Sequence, residues 1–333
     1  MNIAFTILII LNFFIIFNFE NIAKTINLYD YPDNNLKRHK KKIPIIGGII
    51  FILNFYFISF FDLFIHDSFL NLFLTKESEY LFILILFLFF SLGLIDDKIN
   101  VNPNIKFIFL ILITLLSVYL DKSLLIQKFS LSFYSHKIFL NDYSIFFSVF
   151  CIVILINALN FYDGINGQSL IFFIISFSYL LIVTKKYEFY GLIIFILIIL
   201  LYLNLNNKLF MGDSGIYLLA VILSTSIIYE HNIYENIEFA DEIFLLLFLP
   251  GLDLLRLSIF RLIKGKNPFF GDRSHIHHIL IDNFSLLRSN LILLFLILIP
   301  LILFSVLKIN FFLVLVIILF IYFILILKFR AND

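Results

Sequence analysis

The sequence contains little charge and a single cysteine. Of its 333 residues only 14% are Asp, Glu, Lys or Arg, whereas 62% are hydrophobic. Soluble domains carry about 25% charged residues, so this composition excludes a soluble enzyme, a disordered chain and a fibrous repeat. The net charge of +1 gives no electrostatic reason to expect a nucleic acid partner. The one cysteine, Cys151, excludes a disulfide framework or a cysteine zinc site within the chain.

Long apolar runs take up most of the chain. A bilayer core about 30 Å thick needs roughly 20 apolar helical residues, and continuously apolar runs predict helices where a barrel would alternate. We therefore predict an all-α, polytopic transmembrane bundle that forms a single domain over residues 1–333. The first run lacks a basic flank and a small-residue cleavage site, so we expect an uncleaved anchor. The eleven candidate spans are 3–19, 43–65, 80–95, 105–120, 143–161, 168–184, 188–205, 214–230, 240–262, 289–307 and 310–328.

Basic residues predict the orientation of these spans. Most of the 24 Lys and Arg residues fall in the odd-numbered loops and the C-terminal tail, and such residues favour the cytoplasmic side. The N-terminus is therefore expected outside and the C-terminus inside. The segment 121–142 has mixed composition and predicts a hairpin or a re-entrant piece. The loops expected to form a cytoplasmic active site lie near 20–42, 96–104, 162–167, 206–213 and 263–288.

The first loop is basic and ends in a pair of glycines. Its lysine run at 40–42 is explained by the preference for positive charge on the inside. Gly47 and Gly48 either pack closely against another helix or let the backbone approach a ligand.

The third loop contains two adjacent carboxylates at the end of an apolar run. Asp96 and Asp97 follow the third predicted span, and Lys106 lies at the start of the next one. Adjacent carboxylates at a membrane-embedded helix end are costly unless they are solvated, paired or metal-bound. Such a pair suits an Mg²⁺ and phosphate site or a proton-abstracting base. The plain alternative is a solvated helix terminus.

The fifth and seventh loops carry amides and further acids. Asn157 and Asn160 lie three residues apart, on one face of an apolar helix. Asp163 and Asn166 are each followed by glycine, which is typical of turns, although a turn does not explain the two amides before it. Asp213 precedes another apolar run, where it either caps a helix or joins free backbone N–H groups in binding phosphate and metal.

Three histidines lie within four positions of the ninth loop. His275, His277 and His278 follow Asp272 and Arg273. Zinc binding by histidine pairs is an alternative, but the loop has no cysteine and no HExxH spacing. Binding of an anionic substrate by Arg273 and the histidines is the better interpretation.

All these clusters lie on one predicted face of the membrane. Carboxylates supply Mg²⁺ ligands, and Lys, Arg and His neutralise phosphates. Together they predict phosphoryl transfer at a membrane surface, where positioning and charge neutralisation supply most of the catalysis. In sequence order from Asp30 to His278, the motifs resemble those of the polyprenyl-phosphate N-acetylhexosamine-1-phosphate transferases of glycosyltransferase family 4.

The resemblance implies a reaction and a set of partners. Enzymes of this family transfer a sugar-1-phosphate from a UDP-sugar to a lipid phosphate and release UMP, with Mg²⁺ or, as an alternative, Mn²⁺. We therefore expect a UDP-N-acetylhexosamine donor such as UDP-GlcNAc, an undecaprenyl or other polyprenyl phosphate acceptor, and the homodimer that is common in the family. The expected location is the bacterial inner membrane, with the active site facing the cytoplasm. The expected role is the first step of a cell-surface glycan such as O-antigen of lipopolysaccharide.

The resemblance also assigns residues. Asp96 and Asp97 match the family's acidic pair near the metal and the lipid phosphate, and both are expected to be catalytic, with Asp97 as the candidate base. Asp213 matches the family's metal-binding aspartate and is expected to hold Mg²⁺ with help from Asp96 or Asp97. The residues expected to bind substrate are Lys106, Asn157, Asn160, Asp163, Asn166, Arg273, His275, His277 and His278.

Two positions depart from the family pattern, and two other functional classes compete with it. Asn166 stands where the family has a second acid, and an amide can ligate but cannot act as a base. Ile45 and Ile46 replace a more polar stretch. A transporter or lipid flippase would place ionisable residues along a midplane path, as Asp253 is placed. The branch that uses a muramyl-peptide donor and an inactive structural homologue are further alternatives.

Overall fold

The computed structural model describes residues 2–32, 41–65, 72, 73, 75–266 and 274–329, and in this part the chain is predominantly helical. The helices are α1 (Asn2–Ile26), α2 (Gly47–Ile65), α3 (Lys76–Ile99), α4 (Pro103–Leu120), α5 (Ser144–Tyr162), α6 (Gln168–Thr184), α7 (Tyr187–Leu205), α8 (Gly212–Asn232), α9 (Ala240–Ile263), α10 (Ile276–Asn283), α11 (Leu286–Leu301) and α12 (Phe311–Phe329). Two short antiparallel pairs join β1 (Tyr29–Asp30) to β2 (Ile43–Pro44) and β3 (Lys128–Leu131) to β4 (Tyr134–Phe139).

The long helices coincide with the predicted apolar runs. Within the described residues, nine helices are long and apolar enough to cross a membrane. The apolar stretch Gly47–Phe60 within α2 and the helix α6 (Gln168–Thr184) are shorter than that limit. The chain is therefore a multi-pass membrane protein by its helix lengths and composition, whereas the total of eleven spans and the positions of the termini stay predictions.

Helices extend into three segments that were predicted as loops. α1 runs through residue 26, α3 runs through residue 99, and the segment 263–288 contains α10. Polar residues continue these helices because the backbone hydrogen bonds of a helix are satisfied at any depth. Asn100 ends α3 in the left-handed conformation with φ of 50°, and the side chain of Asn102 then caps α4 at Pro103. This tight connection brings the end of α3 close to the start of α4.

Short connections make successive long helices run in opposite directions. We call the end of the bundle where α3 ends and α8 begins the site end. The β3–β4 hairpin, which the mixed segment 121–142 predicted as one of two alternatives, lies at the other end. There Lys128 pairs with Glu235 at 2.6 Å, and Asn232 donates to the carbonyl of Leu125 at 2.9 Å.

Helix α8 occupies the centre of the bundle. It packs against α2, α3, α5 and α6, and its side chains from residue 214 to 231 are all buried. The small polar residues Ser224, Thr225 and Ser226 permit close helix approach. A central helix fixes the position of its first residues, and those residues include Asp213.

Candidate active site

A cavity of about 830 Å³ opens at the site end of the bundle. It lies among the ends of α1, α3, α5 and α7, the start of α8, and α10. Predicted site residues from three loops and α10 therefore share one space. The residues that line it are Asn27, Leu28, Tyr29, Asp30, Tyr31, Ile45, Asp96, Asp97, Lys98, Asn100, Asp163, Gly164, Ile165, Asn166, Asn204, Asn207, Phe210, Gly212, Asp213, His278, Ile281 and Leu286.

One ammonium group bridges two carboxylates at this cavity. The Nζ of Lys106 lies 2.7 Å from an oxygen of Asp96 and 2.7 Å from an oxygen of Asp213. Asp96 is buried, and its other oxygen accepts the backbone N–H of Val101 at 2.8 Å. The lysine holds together two acids that burial and mutual repulsion would otherwise separate.

Asp213 has two weaker neutral partners. The side-chain amide of Asn160 and the hydroxyl of Tyr217 each donate to the same carboxylate oxygen at 3.4 Å. Tyr217 is four residues beyond Asp213 on α8, so both project from one face of the helix. About a quarter (26%) of the Asp213 side chain remains exposed, so the carboxylate can still reach a ligand in the cavity.

Asp97 caps the start of α8 from a different helix. One carboxylate oxygen accepts the backbone N–H of Asp213 at 2.7 Å. The other accepts the backbone N–H and the hydroxyl of Ser214, at 3.1 Å and 2.7 Å. The first N–H groups of a helix lack partners within it, and a carboxylate there also faces the positive end of the helix dipole. Asp97 therefore fixes the backbone from which Asp213 projects.

Glycines bring two helices, α2 and α3, into backbone contact with the start of α8. A Cβ atom on Gly93 of α3 would lie 2.4 Å from the Cα of Ser214, and one on Gly48 would lie 2.4 Å from the backbone N of Gly215. The N–H of Gly47 donates to the carbonyl of Phe210 at 3.0 Å. Of the two interpretations of the glycine pair, the structure supports close helix packing.

Asp163 and Asn166 lie on the turn between α5 and α6. The carboxylate of Asp163 accepts the hydroxyl of Ser169. Burial raises the pKa of Asp163 to about 6, although that hydrogen bond lowers it. Asn166 donates to the side-chain oxygen of Asn207 at 2.7 Å. Its amide thus organises the cavity wall at the position where the family has a second acid.

The three histidines occupy different environments. His278 lines the cavity. His277 lies behind it, buried, with its Nδ1 3.3 Å from the side-chain amide nitrogen of Gln168. A Cβ atom on Gly164 would lie 1.8 Å from Nε2 of His277, so only glycine fits there. Burial lowers the pKa of His277 well below its usual value, and the neighbouring imidazoles lower it further, which keeps this ring neutral.

His275 is buried next to α9, away from the cavity lining. Its Nδ1 donates to Asp253 at 2.8 Å. Asp253, His275 and His277 lie close enough to one another to hold a metal ion. However, Arg256 donates to Asp253 at 2.8 Å, and a guanidinium nitrogen of Arg261 lies 3.3 Å from Nε2 of His275. Both oxygens of Asp253 and Nε2 of His275 have partners within the protein, and none of these three residues lines the cavity, which argues against a metal ion there.

The structure therefore brings together most of the predicted site residues and separates a few. Asn157 donates to the carbonyl of Val153 on its own helix at 2.8 Å and does not line the cavity. His275 and His277 support the wall from behind. Arg273, with Asp272, lies outside the described residues. The residues that meet at the cavity or contact those that do are Asp96, Asp97, Lys106, Asn160, Asp163, Asn166, Asp213 and His278.

Several cavity residues were not predicted as site residues. Asn204 accepts the backbone N–H of Gly167 at 2.6 Å, and Asn207 accepts from Asn166. Their signal was the run of three amides in the seventh loop, at 204, 206 and 207. Tyr29 and Tyr31 had no such signal, because the β1–β2 pairing that places them is visible only in the structure.

The donor set fits a hard divalent cation. Carboxylate oxygens of Asp96 and Asp213 converge on one cationic group, and Asp163 lines the same cavity. Mg²⁺ and Mn²⁺ prefer such oxygen ligands, and Mg²⁺ usually keeps several waters, for which the cavity has room. Carboxylates and an ammonium group at one membrane-side cavity are parts of a phosphoryl-transfer site. Fold and site together therefore define a polytopic membrane protein with the site of a phosphotransferase.

Comparison with known proteins supports the family resemblance. Residues 80–231 match the sequence profile described as Glycosyl transferase family 4. The chain is similar to the undecaprenyl-phosphate alpha-N-acetylglucosaminyl 1-phosphate transferase of Thermotoga maritima, at 29% identity over 272 residues, which are 81% of this chain and 78% of the relative. The Escherichia coli K12 protein of the same name is 27% identical over 278 residues, 78% of this chain and 71% of its own. The phospho-N-acetylmuramoyl-pentapeptide-transferase of Petrotoga mobilis is 28% identical over 214 residues, 60% of this chain and 63% of its own.

The profile match and these relatives support the family that the motif resemblance predicted. The relatives are named as phospho-sugar transferases, and this chain is an enzyme of that type.

Proposed function

We propose that the protein transfers an N-acetylhexosamine-1-phosphate from a UDP-sugar to undecaprenyl phosphate and releases UMP. The observation that carries the proposal is the convergence of Asp96 and Asp213 on Lys106 at the wall of a cavity large enough for a nucleotide sugar. The names of the relatives from Thermotoga maritima and Escherichia coli support the acceptor and the sugar.

We propose that Asp213 and Asp96 hold Mg²⁺, with Asp163 as a further acid facing the same space. Mn²⁺ would suit the same oxygen ligands. When bound, the cation would neutralise the diphosphate of the donor and the charge that develops on the leaving UMP. Lys106 already lies between the two acids, so it is placed to contact a phosphate oxygen when the carboxylates turn towards a metal.

Asp97 was predicted as a base, and its contacts suggest a different part in the reaction. Its carboxylate accepts three hydrogen bonds from the start of α8. We propose that it holds Asp213 in position and that the lipid phosphate reacts as the dianion present near neutral pH. Asp96 lines the same cavity and is paired with Lys106 rather than with the start of α8, so it is the acid better placed to meet the incoming phosphate.

The chemical step is a displacement at the β-phosphorus of the donor. An oxygen of the lipid phosphate forms a new P–O bond there, and the P–O bond to the bridging oxygen breaks, so UMP departs with the electron pair. His278 and Asn207 line the cavity and are placed to bind the polar donor. The apolar helices around the site end leave the lipid chain in the membrane.

We propose the cytoplasmic side of a bacterial inner membrane for this reaction. The excess of Lys and Arg in the odd-numbered loops supports that orientation, because those loops connect helices at the site end. The pathway that the product enters, of which O-antigen synthesis is one candidate, and the homodimer remain proposals from the family resemblance.

A donor screen tests the proposed function. Purified protein is incubated with undecaprenyl phosphate, Mg²⁺ and one radiolabelled UDP-sugar at a time, and label is counted after lipid extraction. We expect lipid-soluble label and equimolar UMP with UDP-GlcNAc or a close N-acetylhexosamine analogue. No lipid-soluble label with any donor would contradict the proposal.

The muramyl-peptide branch is the second candidate, and one observation favours it. The Petrotoga mobilis relative carries the name of that branch and is about as similar to this chain as the others. Including UDP-N-acetylmuramoyl-pentapeptide in the same screen separates the two candidates. We expect no transfer from that donor.

A further inference from the structure

A buried ionic network joins α9, α12 and the start of α10. Asp253 of α9 accepts the hydroxyl of Tyr322 at 2.7 Å and a guanidinium N–H of Arg256 at 2.8 Å. Its second oxygen accepts Nδ1–H of His275 at 2.8 Å. The Nε of Arg256 also donates to the hydroxyl of Tyr322 at 2.8 Å. Because an unpaired buried charge is costly, each member holds the others in place.

This network fixes the first turn of α10. Arg256 donates to the carbonyl of Ser274 at 2.7 Å. The backbone N–H of Ile276 points at both oxygens of Asp253, at 3.3 Å and 3.4 Å. His275 is the N-cap residue of α10 but makes no side-chain cap of its own. Asp253 thus caps α10 from another helix, much as Asp97 caps α8.

The end of α10 is also held by α12. Asn283 donates to the carbonyl of Phe329 at 2.9 Å, and the rings of Phe284 and Phe329 pack edge to face with centroids 4.9 Å apart. Helix α12 therefore contacts the end of this eight-residue helix directly and reaches its start through Asp253 and Arg256 of α9.

The contacts that hold α10 also determine the positions of the histidine rings. His275 and His277 stack with centroids 5.2 Å apart and an interplanar angle of 12°. The rings of His277 and His278 lie 4.3 Å apart. A displacement of His275 would therefore pass through two ring contacts to His278, which lines the cavity. Positioning errors of about 1 Å at such a group cost up to about a hundredfold in rate.

We propose that Tyr322 and Asp253 are positioning residues for donor binding, acting through His275 on the placement of His277 and His278. This inference rests on the proposed transferase function. It gives α12 a role in the reaction, which reaches the site through α10 and through Asp253 and Arg256 of α9. Neither residue contacts the cavity, so neither is a catalytic residue.

The test compares two substitutions of the same chemical size. Tyr322→Phe removes the hydroxyl that bridges Asp253 and Arg256. Tyr190→Phe is the matched control, because Tyr190 is equally buried and its hydroxyl donates to a carboxylate, that of Glu230, at 3.2 Å, at the other end of the bundle. Each variant is assayed for the KM of the UDP-sugar, the KM of undecaprenyl phosphate and the midpoint of thermal unfolding in detergent.

A second readout does not depend on turnover. Diethyl pyrocarbonate modifies accessible imidazoles, and mass spectrometry maps the modified residues. In the wild-type protein and in Tyr190→Phe, we expect His275 and His277 to be protected because both are buried. In Tyr322→Phe and in Asp253→Asn, both should become reactive.

We expect the KM for the UDP-sugar to rise about tenfold in Tyr322→Phe, which is the scale of losing one hydrogen bond to a charged group. The KM for undecaprenyl phosphate and the unfolding midpoint should equal those of Tyr190→Phe. An unchanged donor KM, or equal changes in both KM values and in the unfolding midpoint, would overturn the proposal. If the wild-type protein transfers no sugar, the proposed function fails. The positioning of α10 by Asp253 and Tyr322 still stands in that case if His275 and His277 become reactive only in Tyr322→Phe and Asp253→Asn. If the wild-type protein transfers sugar and both variants behave as Tyr190→Phe does, only the proposed positioning role of Tyr322 and Asp253 fails.

Discussion

The carboxylate of Asp97 accepts the backbone N–H of Asp213 at 2.7 Å, across the contact between α3 and α8. This hydrogen bond links the acidic pair of the third loop to the acid of the seventh loop. Asp97 can therefore orient Asp213 without contacting the metal itself. Outer hydrogen-bond partners of this kind commonly set the affinity of a metal site.

Replacing Asp97 by Asn separates a positioning role from that of a base. The Asn side chain can still accept from Asp213, but its NH₂ group faces the donors of Ser214. We expect Mn²⁺ affinity to fall by about 10–100-fold, as for other outer-shell partners, with turnover falling in parallel. Mn²⁺ titration followed by electron paramagnetic resonance measures the affinity. If Asp97→Asn loses turnover but keeps its Mn²⁺ affinity, Asp97 acts as a base and the positioning role is wrong. Asp142→Asn, at an exposed site at the other end of the bundle, is the control.

Lys106→Gln should bind the divalent cation more tightly and turn over more slowly. The ammonium group of Lys106 occupies the space between Asp96 and Asp213, so its removal leaves two carboxylates without a cation and favours a metal. We expect a lower dissociation constant for Mn²⁺ and a rate reduced by about a hundredfold, the usual scale for loss of one charged group that stabilises a transition state. Lys122→Gln, exposed at the other end, should change neither quantity. A weaker Mn²⁺ affinity in Lys106→Gln would contradict this account.

Asp163→Asn should gain stability relative to the wild type as the pH rises. Burial raises the pKa of Asp163 from an ordinary value of 3.8 to about 6, so the folded protein binds this proton more tightly than the unfolded chain. The stability that this group contributes is complete below pH 3.8 and is lost as the pH rises through 6. Unfolding midpoints of both proteins in metal-free buffer at pH 4.5 and pH 7 measure the effect. We expect the unfolding midpoint of Asp163→Asn to rise relative to that of the wild type between pH 4.5 and pH 7. The variant should have lower transferase activity than the wild type. A difference that does not change with pH would contradict the assigned pKa.

Gly93→Ala should disturb the start of α8. The new Cβ atom would lie 2.4 Å from the Cα of Ser214, a backbone atom that cannot move alone. We expect a loss of about 1–3 kcal/mol in stability, typical of overpacking, together with weaker metal binding because Asp213 shifts. Gly191→Ala is the matched control within a helix, since the nearest atom lies 4.0 Å away. Thermal unfolding in detergent and Mn²⁺ titration compare the two. Equal effects at both glycines would show that helix propensity alone is responsible.

The convergence of the site could be predicted from the sequence because it follows from counting helices. Apolar runs of spanning length fix the helices, and their alternation places the ends of α3, α5 and α7 beside the start of α8. Asp96, Asp163 and Asp213 therefore lie at the same end of the bundle, and the packing of α3 and α5 against α8 brings them together.

The hydrogen-bond partners of individual side chains could not be predicted from the pattern of apolar runs. Asn157 was predicted to bind substrate, but an amide in a helix can equally donate to the carbonyl four residues earlier, as it does here. Which of the three histidines faces the cavity depends on α10, whose cap comes from Asp253. That residue is 69 positions from Tyr322 in sequence, and no local pattern connects them.

Transfer of the donor's β-phosphate tests the central claim most directly. UDP-GlcNAc labelled with ³²P in the β-phosphate and with ³H in the sugar is incubated with undecaprenyl phosphate and Mg²⁺, using wild-type protein and the Asp213→Asn variant. The account predicts both labels in the lipid fraction at equal molar amounts, UMP in the aqueous fraction, and a loss of at least about a hundredfold in the variant. Tritium in the lipid fraction without ³²P, or transfer by Asp213→Asn at the wild-type rate, would contradict it.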